Sequence, residues 1–187
     1  MKRFFMMAML ATIAFVANAK DDRVTFISGN NKAMTESGKT AIVEFDYTQT
    51  ICEGKPLPEY LADRGEEHVR DWPALALSSK NKFCDKFNSK NKKGVQITDN
   101  ADADLKITVA ITKMHLGSVA GAVLMGGRTG GAEVCGTITV ADNKTGETIA
   151  QYEIFEVRGG GSYNFTETKR MAATYEAVAT MWAKEIK

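Results

Sequence analysis

The sequence predicts an α+β fold in which an antiparallel sheet of three to five strands carries two helices on one face, within a single domain. Three patterns predict it: apolar and polar residues alternate over 105–112, two further alternating runs flank a turn between 134 and 157, and a helical apolar stripe spans 171–186. A sheet with one apolar face must bury it, and the amphipathic helices can cover that face.

The first 19 residues have the pattern of a cleavable secretory signal peptide. Lys2 and Arg3 precede an uncharged, mostly apolar run over 4–16, and the Ala-Asn-Ala tripeptide at 17–19 matches the small-x-small cleavage pattern. The apolar run is shorter than the roughly 20 residues that a spanning helix needs. We therefore expect an exported protein, periplasmic or secreted, with no transmembrane segment in the mature chain.

Cleavage after Ala19 leaves a chain of one-domain length with 22 basic and 23 acidic residues, a formal charge of −1. Nucleic-acid binding that is not sequence-specific depends on a basic field, so this balance argues against a nucleic-acid partner. The first cysteine is Cys52, so the cleavage point lacks the cysteine that would carry a lipid anchor. We expect a soluble product.

Cys52, Cys84 and Cys135 form an odd set, which in an exported protein allows one disulfide and one free thiol. A disulfide between Cys52 and Cys84 would close a loop of about 33 residues and contribute roughly 3 to 4 kcal/mol. The alternative is three reduced cysteines that pack as small apolar side chains. The sequence leaves both interpretations open.

The chain begins with an arm and a strand. Residues 20–40 hold a short β-like run at 23–27 followed by polar residues, and this pattern predicts an edge strand or a loosely held arm. The main domain, 41–187, starts with a strand over 41–50 in which apolar and polar residues alternate. One face of this strand can be buried and the other solvated.

A long irregular excursion and a helix come next. The stretch 51–70 carries two glycines and two prolines among charged residues, which interrupts any regular period. Asp71 then fits an N-cap with Pro73 in the first turn, and an amphipathic helix is predicted to run to about Asn88.

The second half predicts three strands and a helix. The strand over 105–112 is followed by a hairpin whose strands flank the turn residues at 142–146. In the last helix the apolar residues recur at spacings of 4, 3, 4 and 4, and Asn164 with Glu167 fits its N-terminal cap. The stripe that must be buried consists of Met171, Tyr175, Val178, Trp182 and Ile186.

The run Ala-Asp-Ala-Asp at 101–104 leads into a strand, a glycine-rich connection follows, and the next strand ends in Asp-x-x-Thr-Gly-Glu-Thr at 142–148. This order resembles small exported bacterial envelope proteins of unknown function, which are similar to the α/β domains of the TolB amino-terminal region and of curli-type secretion channels. The resemblance covers 40–187. It implies an envelope role and supplies no catalytic residue.

The segment 117–131 has six glycines, an apolar run at 119–125 and one charge, Arg128. It fits a hairpin connection that folds back on the domain, an interaction loop for a partner, a membrane surface or a homo-oligomer, or a phosphate-binding nest at 126–131. The P-loop spacing with its Lys and Ser/Thr is absent from this nest. The candidate interaction residues are Gly117, Val123, Leu124, Met125, Gly126, Gly127 and Arg128.

No other residue set predicts chemistry. His68 and His115 do not lie at metal-ligand spacing from the cysteines, and Ser162 lacks the context of a nucleophile elbow. We therefore predict no catalytic residue, metal or cofactor. The favoured function is non-enzymatic binding or assembly in the cell envelope, through the glycine-rich segment or an exposed sheet edge. The alternative is a periplasmic enzyme with an unrecognised site, within 51–70.

Overall fold

The computed structural model describes residues 23–117, 131–159 and 166–186, so the predicted signal peptide lies outside the described residues. Within them the chain forms eight strands, three α-helices and a short 3-10 helix, Asn31–Thr35. The strands are β1 (Arg23–Gly29), β2 (Thr40–Asp46), β3 (Ile51–Cys52), β4 (Lys55–Pro56), β5 (Gln96–Ile97), β6 (Leu105–His115), β7 (Glu133–Asp142) and β8 (Thr148–Arg158). The helices are α1 (Leu57–Arg64), α2 (Glu66–Lys90) and α3 (Glu167–Glu185).

All eight strands belong to one sheet, whose main order is β1-β8-β7-β6-β2-β5. The predicted number of three to five strands is too low, and the predicted antiparallel pairing holds for only part of the sheet. Strands β6, β7 and β8 pair antiparallel as expected, and β1 joins β8 in the same way at the edge of the sheet. Strand β2, however, runs parallel to β6 and to β5, because the helical segment between β2 and β6 carries the chain back to its starting end.

One face of the sheet is buried under α2 and α3. On β6, Leu105, Ile107, Val109 and Ile111 are buried, and the residues between them are more exposed. The period-2 pattern therefore identified the face that packs on the helices. The two helices also pack on each other, and Trp182 of α3 stacks on Phe87 of α2 with ring centroids 4.5 Å apart.

The excursion at 51–70 is more ordered than its sequence suggested, since it contains β3, β4, α1 and the start of α2. The predicted helix start at Asp71 is wrong, because α2 begins at Glu66, directly after Gly65 with φ +117°. Two glutamates in the first turn favour this start through the helix dipole. Pro73 lies inside α2 and removes one backbone hydrogen bond of the helix.

The predicted apolar stripe of helix α3 is confirmed. Its residues are all buried, namely Met171, Tyr175, Val178, Trp182 and Ile186. The N-cap of the helix is Thr166, whose hydroxyl accepts a hydrogen bond from the Lys169 backbone N–H at 3.3 Å. The predicted cap residue Asn164 lies outside the described residues. The expectation of two helices on the sheet holds for α2 and α3, and α1 is an additional helix beside them.

We expect Trp182→Ala to lower the free energy of unfolding by about 3 to 5 kcal/mol, because it removes a buried ring and leaves a cavity. Chemical denaturation of wild type and variant measures the difference. Lys169→Ala is the matched control, since Lys169 is exposed on the same helix. A Trp182→Ala protein as stable as the control would contradict the buried position.

Candidate functional site

A groove lies between the C-terminal end of β2 and the two helices α1 and α2. Its main cavity has a volume of about 450 Å³, and an adjoining cavity of about 420 Å³ extends it along α2. We call this feature the β2 groove. Its lining consists of Glu44, Phe45, Asp46, Tyr47 and Thr48, with Leu57, Pro58 and Leu61 from α1 and Val69, Trp72, Ala76, Leu77 and Lys80 from α2.

The backbone of β2 is unpaired along this groove. Strand β5 covers only the start of β2, where Gln96 N–H donates to the Lys39 carbonyl and Thr98 N–H donates to the Ala41 carbonyl. Backbone groups of alternate residues point to the same side of a strand, so Val43 and Phe45 present their N–H and C=O groups to this edge. No described residue is hydrogen-bonded to those groups. Val43 is only 3% exposed, so it is the partly exposed Phe45 that offers its backbone groups to another chain.

Aromatic rings form the floor of the β2 groove. The Tyr47 ring contacts Trp72 at a centroid distance of 5.3 Å, and Phe45 contacts the buried Tyr175 at 5.0 Å. The hydroxyl oxygens of Tyr47 and Tyr175 lie 3.0 Å apart. Burial raises the pKa of Tyr47 to about 12, so this floor is uncharged near neutral pH.

The rim of the groove is also apolar. Val69 and Leu77 of α2 are 49% and 57% exposed, which makes them two of the large apolar side chains most open to solvent. The Asp46 carboxylate accepts hydrogen bonds from the N–H and hydroxyl of Thr48, which lower its pKa. The carboxylate of Glu44 pairs with Lys106 at 2.7 Å. These acids are engaged, so the groove offers apolar surface and a strand edge, an arrangement suited to binding.

The opposite edge of the sheet is protected. On β1, the outward N–H of Phe26 donates to the Glu185 carboxylate of α3 at 3.1 Å. The register of β1 with β8 also shifts between Phe26 and Ser28, so Ile27 bulges out of the ladder. A bulge and an occupied donor both hinder pairing with another strand. The β2 edge, unlike the β1 edge, therefore combines unpaired backbone groups with an apolar groove.

Most of the candidate interaction loop predicted from the sequence lies outside the described residues, namely Val123, Leu124, Met125, Gly126, Gly127 and Arg128. Gly117 is described, with φ +70°, and its N–H donates to His115 Nδ1 at 2.9 Å. The structure does not bring Gly117 into the β2 groove lining.

The described ends of that loop are held by α3. The buried Arg170 donates from Nε to the Leu116 carbonyl at 3.0 Å. Thr174 donates its hydroxyl to the Ala132 carbonyl at 2.8 Å and accepts from Gly159 N–H at 3.1 Å. Sequence reasoning missed Arg170 and Thr174, although each directly precedes a residue of the buried stripe of α3, where a polar side chain needs a partner.

The three cysteines are free thiols in the structure, which therefore does not contain a disulfide between Cys52 and Cys84. Cys52 is buried in β3, whereas Cys84 of α2 lines a polar cavity with Asn88 and Asp99 beside β5. Burial raises the pKa of Cys52 to about 12 and that of Cys84 to about 11. Neither thiol is activated as a nucleophile.

Each histidine lies close to a glutamate. His115 Nδ1 is 3.1 Å from the Glu53 carboxylate, and His68 contacts the neighbouring Glu67 at 3.8 Å. Within the described ranges no three His, Cys, Asp or Glu residues form a group that could hold a metal ion. No helix in that part of the chain is long and apolar enough to cross a membrane.

Comparison with known proteins finds no matching family model and no matching curated protein. Among solved structures, the PelC dodecamer from Paraburkholderia phytofirmans in space group P6 is similar over 89% of this chain and 97% of that chain, with 11% identity and a TM-score of 0.47. A variant of that dodecamer in space group C2 covers 85% and 97%, with 13% identity and a TM-score of 0.42. Similarity of this degree supports no conclusion about this chain.

We expect the backbone amide of Phe45 to exchange with solvent at least about a hundredfold faster than those of Ile42 and Glu44, which face β6. Hydrogen exchange followed by NMR measures the three rates in one sample. Equal protection of all three amides would show that the β2 edge is covered at Phe45, contrary to the structure.

We expect native Cys52 to react with iodoacetamide about a thousandfold more slowly than the unfolded chain near neutral pH, because its pKa rises from 9.0 to about 12 and only the thiolate reacts. The same pKa shift also affects the free energy of unfolding. The contribution of Cys52 is fully present below pH 9.0 and is lost as the pH rises toward 12, because the thiol of the unfolded chain ionises first. Mass mapping of alkylated peptides measures the rate. A Cys52–Cys84 crosslinked peptide would contradict the free thiols.

Proposed function

We propose that this chain is a non-enzymatic binding domain of the cell envelope that holds an extended, apolar segment of a partner protein in the β2 groove. The observation that carries this proposal is the unpaired edge of β2 beside an apolar groove of about 450 Å³. The predicted signal peptide supports the envelope location. The sequence suggested binding through the glycine-rich segment or through an exposed sheet edge. In this proposal the sheet edge is that of β2.

Strand addition explains how both features would be used together. A partner backbone beside β2 would exchange hydrogen bonds with Phe45, and main-chain bonds of this kind give affinity with little sequence selection. Side chains alternate along a strand, so every second residue of the partner would face the groove floor. The floor formed by Tyr47 and Trp72 selects apolar side chains at those positions.

The size of the site defines the length of the segment. The part of β2 that β5 leaves uncovered, residues 42–46, has a span of about 17 Å as extended backbone. A segment of about five residues therefore fills the groove. Such a segment is short enough to belong to a terminus or an exposed loop of the partner.

Two observations favour binding over the enzyme alternative. The carboxylates along the groove are engaged, with Asp46 bound to Thr48 and Glu44 paired with Lys106. The thiols of Cys52 and Cys84 have raised pKa values. Catalysis by general acid and base or by a thiolate needs the opposite, a free and activated group in the cavity.

Assembly through the glycine-rich segment remains a second candidate. The observation that favours it is the fixation of both ends of that segment by Arg170 and Thr174 of α3. A segment with fixed ends is presented from one defined place on the domain. The resemblance to TolB-type and curli-type domains stays a prediction and adds no residue to either candidate.

A phage-displayed peptide library selected on the wild-type protein tests the proposed function. We expect the selected peptides to carry apolar residues at alternate positions. We also expect Val69→Lys and Leu77→Lys each to weaken binding by about tenfold or more, since each places a charge at the apolar rim. Isothermal titration calorimetry with one synthetic peptide measures the loss.

Ile27→Lys is the matched control, because Ile27 is 50% exposed but lies on the protected β1 edge. This variant should bind the peptide as wild type does. Equal weakening by Ile27→Lys, or full binding by both rim variants, would contradict a site in the β2 groove. Because all three side chains are exposed, the variants should keep the wild-type melting temperature.

A further inference from the structure

The C-terminal half of α2 and the turn after it carry a dense cluster of positive charge. Between positions 80 and 93 there are six lysines and one carboxylate, Asp85, although the whole chain has a formal charge of only +1. The lysines are Lys80, Lys82, Lys86, Lys90, Lys92 and Lys93. The positive charge is therefore concentrated locally and does not follow from the composition of the protein.

Five of these lysines share one region of the surface. Lys82, Lys86 and Lys90 are spaced by four residues and lie on one stripe of α2, whereas Lys80 lies on the side of the β2 groove. Lys92 and Lys93 extend the stripe past the end of the helix. We call the set Lys82, Lys86, Lys90, Lys92 and Lys93 the lysine patch.

The turn that carries the end of the patch is held in place. Asn91 has a buried side chain, which donates to the Met34 carbonyl at 2.9 Å and to the Val95 carbonyl at 3.1 Å. Gly94 packs so closely on the Met34 carbonyl that a Cβ atom would lie 2.4 Å from its oxygen. The backbone that presents Lys90, Lys92 and Lys93 is therefore fixed by the fold.

The charge of the patch is largely uncompensated. Lys86 lies 3.7 Å from the Glu176 carboxylate of α3, while the other four lysines form no ion pair with any described residue. Lys82, Lys90, Lys92 and Lys93 are all exposed. The helix dipole accounts for a lysine in the last turn, such as Lys90, but not for the two lysines beyond the helix.

We propose that the lysine patch binds the anionic headgroups of a lipid bilayer. Lysine is a compact, strongly hydrated point charge, which suits a diffuse negative surface better than the bidentate recognition that arginine provides, and the patch contains no arginine. Among the described residues, the large exposed apolar side chains are Ile27, Ile51, Val69 and Leu77, and they lie outside the patch. The contact would therefore rest on charge without insertion, and it goes beyond the proposed peptide binding.

Sedimentation with lipid vesicles tests this proposal. We expect wild-type protein to co-sediment with phosphatidylcholine–phosphatidylglycerol vesicles at low salt, to be released as salt is raised, and not to bind phosphatidylcholine alone. Replacing Lys82, Lys90, Lys92 and Lys93 by glutamine should weaken binding by about a hundredfold or more, since each lysine contributes about fivefold.

The matched control replaces Lys113, Lys144, Lys169 and Lys184 by glutamine, which removes the same charge from exposed positions elsewhere. This control should retain most of the vesicle binding. Equal losses in both variants would show that net charge alone acts, and would overturn the proposal. Binding of soluble polyphosphate without binding of the anionic vesicles would also overturn it.

Discussion

The packing of Trp182 is the interaction on which the rest of the domain depends. Its ring stacks on Phe87 and Phe83 of α2 and meets Tyr152 of β8 edge to face at 5.7 Å, so one side chain of α3 joins the second helix to the sheet. All four residues are buried. Burial of such rings is a large favourable contribution in a domain of this size, and their offset and edge contacts fix the helices in one arrangement.

The β2 groove follows from where this packing stops. The C-terminal half of α2 is held against α3 by Phe83 and Phe87, but its N-terminal half follows α1, with Trp72 contacting the ring of Tyr47. The parallel strand β5 is only two residues long and pairs with the start of β2. A strand edge therefore stays open under the first turns of α2. The same helix has glutamates at its start and lysines at its end, a distribution of charge that agrees with the helix dipole. The groove and the lysine patch therefore lie toward opposite ends of α2.

The sequence predicted the elements whose patterns are local. The alternation in β6 and the apolar spacing in α3 identified buried faces, because burial imposes those periods directly. The parallel pairing of β2 with β6 was missed, since strand direction depends on the path of the intervening chain. The start of α2 was also missed, because Asp71 and Pro73 together resemble a cap and a first turn, whereas the helix begins at Glu66. The β2 groove could not be predicted from Trp72, Tyr47 and Leu61, since only tertiary packing brings them together.

The central claim is that β2 accepts an extended chain at its open edge. The most direct measurement is a set of intermolecular NOEs between a selected peptide and the isotope-labelled protein. We expect NOEs from the peptide backbone to the amide and Hα protons of Phe45, with side-chain NOEs to Trp72. A bound peptide whose NOEs fall only on residues 117–131, and none on β2, would contradict binding at the β2 edge.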